Sequence, residues 1–201
     1  MGAGSHTESP QVHAASSDLR TKLADVLQAP ELEPATIRGT QAAVLVPLFE
    51  RAGQLHAVLT LRREDLTNHA GEVSFPGGRR DHGESLVETA LRESHEEIGL
   101  QPQNVEVVGM LPPISTFVTN YAVHPYVGLV PADSSWNPSD AEVARVAELP
   151  LAELAATCKR RVLVRRGVPI PATIYGLDGL MIWGATARIL GELFERLRLI
   201  T

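Results

Sequence analysis

Residues 78–100, with the sequence GRRDHGESLVETALRESHEEIGL, are the most informative part of the chain. Glu93, Glu96 and Glu97 stand at helical spacing within it, so a helix would bring their carboxylates together on one side. Like charges at this spacing disfavour a bare helix by roughly a few tenths of a kcal/mol per pair. A bound cation would offset that repulsion, whereas a solvated acidic face is the alternative for three glutamates in isolation.

The residues around the glutamates predict a loop, a helix and a second loop. Pro76-Gly77-Gly78 is a loop signal, because glycine allows positive φ and a close approach of the backbone to a ligand. Ser85 and Glu88 fit a capping box that opens a helix near Leu86, and Gly99 is placed to end it. The side chains expected on the buried side of this helix are Leu86, Ala90, Leu91 and Ile98.

The carboxylate oxygens of this segment favour a hard divalent cation. Mg²⁺ commonly bridges a few carboxylates to the phosphates of a substrate. Arg92 sits directly before the first of the clustered glutamates. It would orient a neighbouring carboxylate through a two-pronged hydrogen bond, and one more solvated arginine is the alternative.

Residues 78–100 resemble the signature of the Nudix hydrolases. The matching fixed positions are Gly78, Glu84, Arg92, Glu93, Glu96, Glu97 and Gly99. The departure is Ser94, where the family usually has an aliphatic residue, and it concerns packing beneath the helix. The resemblance implies an α/β fold, namely an α/β/α sandwich with a mixed central sheet and the signature loop–helix–loop. It also implies Mg²⁺- or Mn²⁺-dependent hydrolysis of a diphosphate linked to another moiety.

The resemblance further implies a role for each matching residue. Glu93 and Glu97 would be the principal metal ligands, with Glu96 close by as a ligand or as a water-orienting base. The backbone carbonyl of Gly77 is expected as a further metal ligand. Glu84 is expected to join the metal cluster or its water shell.

The motif does not decide which group removes the proton from water. Family members differ here, and a glutamate outside the signature sometimes serves. Glu142 is one candidate, in a predicted loop or helix start after the central strands, and an ordinary surface glutamate is the alternative. Within the signature, the expected catalytic set is Glu84, Arg92, Glu93, Glu96 and Glu97.

A second run resembles the extra motif of the coenzyme A pyrophosphatase branch of the same family. It consists of residues 59–62, Leu-Thr-Leu-Arg, and residues 71–78, Gly-Glu-Val-Ser-Phe-Pro-Gly-Gly. Arg63 stands where the branch has a small residue, and Thr67 stands where it has a second arginine. These departures matter because arginines are the obvious partners for the phosphates of coenzyme A. The similarity to this branch continues more loosely over residues 38–198.

The expected substrate-binding residues of this run are Arg62, Arg63, Phe75 and Gly78. Neighbouring side chains alternate between the two faces of a regular strand, so Arg62 and Arg63 cannot both point into one site. For Phe75, a role as a loop anchor in the core has the same weight as a substrate contact.

Composition and net charge limit the number of domains and the kinds of molecule that the chain can bind. With 201 residues, 44% of them hydrophobic and 21% charged, the chain suits one globular domain with a terminal extension. Its formal charge of −6 argues against a general nucleic-acid binder. An anionic substrate must therefore be drawn by local arginines and metal. The single cysteine, Cys158, fits a reducing cytoplasm, and no apolar run reaches the length of a membrane span.

Along the chain, we expect an N-terminal extension at residues 1–35 and the Nudix hydrolase domain at residues 36–201. Within the extension, residues 1–17 are expected to be disordered and residues 18–28 to form a short helix. Strands are expected at residues 41–50, 56–63, 105–111 and 122–129, helical pieces at 140–154, a hairpin at 162–175 and the final helix at 183–199. Lys159, Arg160, Arg161, Arg165 and Arg166 form a basic cluster expected on a solvated hairpin.

Three functions are compatible with these patterns. The first is a coenzyme A diphosphatase that yields 3′,5′-ADP and 4′-phosphopantetheine or its acyl form. The second is a Nudix enzyme acting on ADP-ribose, a dinucleotide or a nucleoside triphosphate, which Thr67 keeps open. The third is a silent ligand-binding module, although such a module has no physical need to retain all four signature glutamates. The expected partner is a small molecule, with no nucleic acid and no membrane, and a homodimer is one expected assembly.

Overall fold

The structure, a computed structural model, describes residues 17–30, 37–65, 71–116, 120–165 and 168–199. The helices are α1 (Ser17–Val26), α2 (Leu86–Ile98), α3 (Leu151–Ala156) and α4 (Gly184–Arg196), with a 3-10 turn at Pro102–Asn104. The strands of the central sheet are β1 (Thr40–Arg51), β2 (Gln54–Arg62), β3 (Val73–Ser74), β4 (Gly77–Arg79), β5 (Glu106–Met110), β6 (Ile114–Ser115), β7 (Tyr121–Leu129) and β8 (Val143–Pro150). A second sheet contains β9 (Lys159–Arg165), β10 (Val168–Leu177) and β11 (Leu180–Ile182).

The central sheet is mixed and is organised around β1. This strand pairs in parallel with β7 and antiparallel with β2 and β4. Strands β3 and β8 both pair antiparallel with β2, while β5 and β6 pair antiparallel with β7. The expected mixed central sheet is therefore confirmed.

Alternating side chains of β1 divide the core into two layers. Ala43, Leu45 and Phe49 pack in the cluster that covers the inner side of α2. Val46 and Leu48 point to the opposite side, into a larger cluster that includes side chains of α1, α3 and α4. A strand covered on both faces is apolar nearly throughout, as the sequence of β1 is. The result is the helix–sheet–helix arrangement expected from the resemblance.

The terminal helices were placed correctly from their apolar periodicity. In α1, Leu23 is fully buried in the larger cluster, so this helix packs onto the domain. In α4, Leu190, Leu193 and Phe194 are fully buried, and Leu197 packs beside them. The expected domain boundary between residues 35 and 36 falls outside the described residues, as do Thr67 and residues 1–16.

The expected helical pieces at residues 140–154 were wrong for most of that range. Residues 143–150 form β8, which pairs with β2 from Arg62↔Val143 to His56↔Pro150, and helix begins only at Leu151. The Ala- and Glu-rich sequence AEVARVAEL favours a helix locally. However, Val143, Ala147 and Leu149 are each buried when the segment is extended, and Ala147 and Leu149 alternate into the larger core cluster. Burial and pairing thus override local propensity.

The glycines at 77 and 78 lie in the short strand β4 and not in an unpaired loop. Gly77 has φ 155, and a Cβ there would come within 2.3 Å of the Ala43 carbonyl oxygen. Only glycine allows this backbone to approach β1 so closely. The expected loop therefore becomes the second antiparallel partner of β1, fixed at Val44↔Gly77.

The hairpin expected at residues 162–175 is confirmed, and its strands are longer than expected. β9 and β10 pair from Lys159↔Ile174 to Arg165↔Val168. β11 extends this second sheet beyond the base of the hairpin, through Tyr175↔Ile182. None of the helices in the described part of the chain is long and apolar enough to cross a membrane.

Candidate active site

The glutamate-bearing helix α2 is closed at both ends as the sequence predicts. The Ser85 hydroxyl accepts from the backbone N–H of Glu88 at 3.3 Å, and the Glu88 carboxylate accepts from the backbone N–H of Ser85 at 2.7 Å. Gly99 ends the helix with φ 72, in the left-handed region. Its N–H donates to the carbonyl of His95. Leu86, Ala90 and Ile98 are buried against the sheet.

Ser94, the position that departs from the Nudix signature, is fully buried on the inner side of α2. Its hydroxyl donates to the carbonyl oxygen of Ala90 at 2.6 Å. A hydroxyl that bonds back to the preceding turn satisfies itself within the helix. The departure therefore affects packing beneath α2 and leaves the acidic side of the helix unchanged.

Arg92 is the centre of the acidic cluster. Its Nε donates to Glu84 Oε1 at 2.9 Å, and its Nη1 lies 3.0 Å from Glu93 Oε1 and 3.0 Å from Glu96 Oε2. Nη2 donates to the Arg79 carbonyl at 3.3 Å. One guanidinium group thus ties three carboxylates and the signature loop together. The predicted orienting role of Arg92 agrees with this geometry.

Glu84 is held in its ionised form by the groups around it. The hydrogen bond from Arg92 is the main reason that the pKa of Glu84 is lowered to about 2. Thr89 adds a second bond, its hydroxyl donating to Glu84 Oε2 at 2.8 Å. Sequence reasoning missed Thr89, although its position one turn before Glu93 places it on the same side of α2.

The surroundings of Glu97 have the opposite effect, because they raise its pKa. Its side chain is only 5% exposed, and burial is the main reason that its pKa is raised to about 8. Arg62 and the backbone N–H of Gly77 oppose this shift by favouring the ionised form. Glu97 Oε2 is buried and has no hydrogen-bond partner among the described residues. A buried carboxylate with an unpaired oxygen is costly for the fold unless a ligand compensates it.

Glu93 lies flat against the backbone of β4. Burial raises the pKa of Glu93, against the effect of the neighbouring Arg92. A Cβ atom at Gly78 would come within 2.4 Å of Glu93 Oε1. The absence of a side chain at Gly78 therefore provides the space that the Glu93 carboxylate occupies.

Arg62, the last residue of β2, reaches the far end of the acidic cluster. Its Nη1 lies 3.6 Å from Glu97 Oε1, and its Nη2 lies 3.5 Å from Glu142 Oε2. Both separations are long for hydrogen bonds, so these are loose ion pairs. The Nε of Arg62 is buried and has no hydrogen-bond partner within the described part of the chain. Arg62 is thus a cation beside the acidic cluster, and its Nε is a hydrogen-bond donor without a partner among the described residues.

Arg63 and Phe75 point away from the glutamates. Arg63 pairs with Asp65 at 2.7 Å and donates to the Asp140 carbonyl at 2.6 Å. The expectation that Arg62 and Arg63 face different ways is therefore confirmed. Phe75 is 2% exposed and belongs to the larger core cluster, so the structure places it as a loop anchor. Its burial leaves almost no surface for a substrate.

Glu142 stands at the edge of the cluster, directly before β8. Its side chain is 50% exposed and lies near the Arg62 guanidinium. The charge of Glu142 also contributes to raising the pKa values of Glu93 and Glu97. Sequence reasoning places Glu142 in a loop or helix start, because it does not predict the pairing of β8 with β2 that brings Glu142 beside Arg62.

The chemistry of these donors fits a divalent cation. Glu93 and Glu97 supply carboxylate oxygens, and one oxygen of Glu97 lacks any partner within the described residues. In the part of the chain that the structure describes, no three Asp, Glu, His or Cys side chains converge as they would around an ion. Arg92 and Arg62 lie against these carboxylates instead. A metal would compete with these guanidinium groups for the same oxygens.

Comparisons with known proteins agree with this arrangement. The NUDIX domain model matches residues 39–166. "Uncharacterized Nudix hydrolase NudL" of Salmonella paratyphi B is 41% identical over 167 residues, which cover 82% of this chain and 86% of that protein. The NudL protein of Salmonella newport shows the same identity and coverage.

Two solved structures share the fold at low sequence identity. A MutT/nudix family protein from Enterococcus faecalis has a TM-score of 0.57 and 18% identity, covering 92% of this chain and 70% of that chain. The NUDIX domain of Shewanella oneidensis NrtR, complexed with ADP ribose, has a TM-score of 0.55 and 20% identity, covering 83% and 94% respectively. Nudix hydrolases generally use divalent metal ions. The chain therefore belongs to the Nudix family and is an enzyme that hydrolyses a pyrophosphate bond.

Proposed function

We propose that the enzyme hydrolyses the diphosphate bond of coenzyme A or of its derivatives, giving 3′,5′-ADP and 4′-phosphopantetheine or its acyl form. The observation that carries this proposal is the position of Arg62, between Glu97 and Glu142 at the end of β2. The two halves of the coenzyme A pyrophosphatase motif, residues 59–62 and 71–78, lie on paired strands, with Thr60 opposite Ser74. This pairing supports a role for Arg62 in binding the diphosphate beside the signature glutamates.

Arg62 would bind the diphosphate in this proposal. Its contacts with Glu97 and Glu142 are long, and its buried Nε has no partner among the described residues. A phosphate oxygen could therefore take up donors that the protein leaves unused, since planar guanidinium groups bind phosphate through paired hydrogen bonds. Arg63 is occupied by Asp65 and would act outside this contact.

Glu93 and Glu97 would hold the divalent cation, Mg²⁺ or Mn²⁺, with Glu96 and the Gly77 carbonyl as further ligands and Glu84 in the water shell. When bound, the ion would supply charge neutralisation of the diphosphate and a lower pKa for an attacking water. Arg92 would keep Glu93 and Glu96 in position through its 3.0 Å contacts with both. The single cysteine supports placing this reaction in the cytoplasm.

Glu96 and Glu142 are the two candidates for the group that accepts a proton from water. Both side chains are at least half exposed, at 56% and 50%, so both could reach a water in the cleft. Replacing each by glutamine separates them. The glutamine variant that lacks the base should have a much lower kcat with little change in the KM for substrate. The other glutamine variant should keep most of its activity.

The test of the substrate is a product assay with Mg²⁺ or Mn²⁺ that offers coenzyme A, oxidised coenzyme A, an acyl-coenzyme A and ADP-ribose side by side. We expect 3′,5′-ADP from the coenzyme A compounds and a lower kcat/KM for ADP-ribose. In parallel, Arg62→Ala should raise KM for coenzyme A, while Arg63→Ala, the neighbouring arginine, serves as the matched control. Cleavage of ADP-ribose with coenzyme A untouched would overturn the proposal.

ADP-ribose is the second candidate substrate. Thr67 replaces the second arginine of the coenzyme A pyrophosphatase motif, which removes one expected phosphate partner. The structurally similar NrtR domain was solved as a complex with ADP ribose. Thr67→Arg distinguishes the two substrates, because it should improve coenzyme A hydrolysis if the missing arginine weakens phosphate binding.

A further inference from the structure

Glu142 is the last residue of the loop that joins β7 to β8, residues 130–142. It does not lie on a helix as the signature glutamates do, so its position depends on the contacts of this loop. Its backbone N–H donates to the Ser139 carbonyl at 3.1 Å, and the N–H of Val143 donates to the same carbonyl at 2.9 Å. Glu142 therefore belongs to a tight turn, and contacts outside the turn must fix the turn beside the cleft.

The C-terminal end of α2 holds one side of this loop. The backbone N–H of Ser139 donates to the Glu97 carbonyl at 2.8 Å, and that of Asn137 donates to the Ile98 carbonyl at 2.9 Å. Carbonyls in the last turn of a helix have no partner inside the helix, and here the loop supplies one. Two consecutive hydrogen bonds through Ser139 thus connect the backbone of Glu97 to that of Glu142.

Arg63 holds the other side of the loop. Its backbone N–H donates to the Glu142 carbonyl at 3.1 Å, and its Nη1 donates to the Asp140 carbonyl at 2.6 Å. The Asp65 carboxylate accepts from Arg63 Nε at 2.8 Å and from Nη2 at 2.7 Å. A two-pronged bond of this kind fixes the plane of the guanidinium group. Main chain and side chain of one residue therefore both bind the turn that carries Glu142.

We propose that Arg63 is a positioning residue, which holds Glu142 beside Arg62 and acts in hydrolysis through the Glu142 carboxylate. This carboxylate is only loosely held by its own contacts, since the side chain is 50% exposed and Oε2 lies 3.5 Å from Arg62 Nη2. The backbone of the turn therefore decides where the carboxylate lies. A displacement of about 1 Å can cost about 10²-fold in rate. The inference rests on the part of the proposed function in which Glu142 accepts the proton from water.

Arg51, at the end of β1, allows a matched comparison with Arg63. Its Nη2 donates to the Ala132 carbonyl at 2.8 Å, and its Nη1 donates to Glu148 Oε2 at 2.6 Å. Like Arg63, it joins the end of a strand to one loop carbonyl and to one carboxylate, and the two side chains are similarly exposed, at 47% and 42%. Ala132 lies at the start of the loop, however, and Glu142 lies at its end. Loss of Arg51 should therefore loosen the loop without moving Glu142.

Steady-state kinetics of Arg63→Ala, Glu142→Gln and the double variant test the proposal, with the diphosphate that the product assay identifies as substrate. We expect Arg63→Ala to lower kcat at least about tenfold and to leave KM unchanged, as its comparison with Arg62→Ala requires. In the Glu142→Gln background, the same replacement should change kcat less than about twofold, because the carboxylate that it positions is gone. Arg51→Ala should keep the kcat of the original chain, and urea unfolding should show that each variant folds.

Asp65→Ala is a second variant, which keeps the test open if Arg63→Ala does not fold. It leaves Arg63 in place but removes the two bonds that fix its guanidinium group, so kcat should fall by a smaller factor. This loss should also disappear in the Glu142→Gln background.

Four results would overturn the proposal. The first is an unchanged kcat in both Arg63→Ala and Asp65→Ala, and the second is an unchanged kcat in Glu142→Gln. The third is a double variant of Arg63 and Glu142 in which the two losses multiply. The fourth is an equal loss of kcat in Arg51→Ala, which would mean that any loosening of the loop lowers activity. Failure of the coenzyme A proposal is a separate result, because it would appear as intact coenzyme A beside a cleaved second diphosphate.

Discussion

Arg92 links the stability of the protein to the charge of its signature glutamates. The Glu84 carboxylate accepts from Arg92 at 2.9 Å and from Thr89 at 2.8 Å, and its pKa falls to about 2 from a usual value of 4.5. A carboxyl group with a lowered pKa stabilises the folded state above its unfolded pKa, and this contribution is lost as the pH falls toward the folded value.

We therefore expect Glu84→Gln to lower the free energy of unfolding at pH 6 by about 1–2 kcal/mol, after allowance for solvent screening. The difference from the original chain should shrink as the pH falls from 4.5 toward 2. Urea unfolding at pH 6 and at pH 3.5 measures both quantities. Glu153→Gln, at an exposed position of α3, is the control. An equal loss at both pH values would mean that ionic pairing with Arg92 is not the cause.

The lack of a side chain at Gly78 sets the position of Glu93, because even a single methyl group at residue 78 would collide with the Glu93 carboxylate. The φ of Gly78 lies outside the left-handed region, so alanine fits the backbone, but the new Cβ would lie 2.4 Å from Glu93 Oε1. We expect Gly78→Ala to displace the carboxylate and to lower kcat/KM by about 10²-fold, while the protein stays folded. Gly176→Ala, whose nearest contact would be 3.6 Å, should leave activity unchanged. Full activity in Gly78→Ala would show that Glu93 need not lie against β4.

At the scale of residues, the signature identified the cluster but not its internal bonding. Local spacing correctly placed Glu93, Glu96 and Glu97 on one helix next to Arg92. The position of Glu142 depends on β8, whose pairing joins parts of the chain far apart in sequence. No local pattern contains that information, which is why the sequence leaves the role of Glu142 open.

Helix α2 is the element on which the site depends, and its first turn is fixed by side chains. The capping box of Ser85 and Glu88 satisfies backbone N–H groups that have no partner inside the helix. We expect Ser85→Ala to lower the free energy of unfolding by about 1 kcal/mol with an unchanged denaturant m-value. Ser85→Thr keeps a hydroxyl at the same position and should restore most of the loss. If Ser85→Ala has the same free energy of unfolding as the original chain, the cap contributes nothing measurable.

The elements that were predicted well are those whose periodicity agrees with their burial. α2, α4, β1, β2 and β7 each combine a clear apolar pattern with recognisable ends. β8 is the counterexample, because its Ala and Glu residues favour a helix, whereas its alternate residues Ala147 and Leu149 are buried in the larger core cluster as parts of a strand. The pairing of β8 along β2 offsets the low intrinsic strand propensity of its Ala and Glu residues.

At the scale of the whole molecule, an acidic protein must attract a diphosphate. The formal charge of −6 repels an anion at long range, so in the proposed function attraction would come from Arg62 and from a cation held by the glutamates. Metal binding would therefore serve both the charge balance of the cluster and the binding of substrate. Metal binding should therefore measurably raise the stability of the folded protein.

We expect Mn²⁺ at about 100 times its dissociation constant to stabilise the protein by about 2.7 kcal/mol relative to EDTA, because the folded state alone assembles the site. For a chain of this size, that gain corresponds to a rise in Tm of about 5–10 °C. Burial raises the pKa of Glu97 to about 8, so a metal ligand there must lose a proton on binding. The Mn²⁺-induced rise in Tm should therefore be larger at pH 8 than at pH 6.

Glu97→Gln provides the decisive comparison. At pH 7 the metal-free protein keeps Glu97 largely protonated, so glutamine resembles it in shape and charge, and Tm in EDTA should change little. With Mn²⁺ the variant should lose most of the rise in Tm, and its kcat should fall by orders of magnitude as a metal-held contact disappears. A variant with an intact Mn²⁺ response would remove Glu97 from the ligand set, and metal binding would then have to be assigned to Glu93 with Glu96.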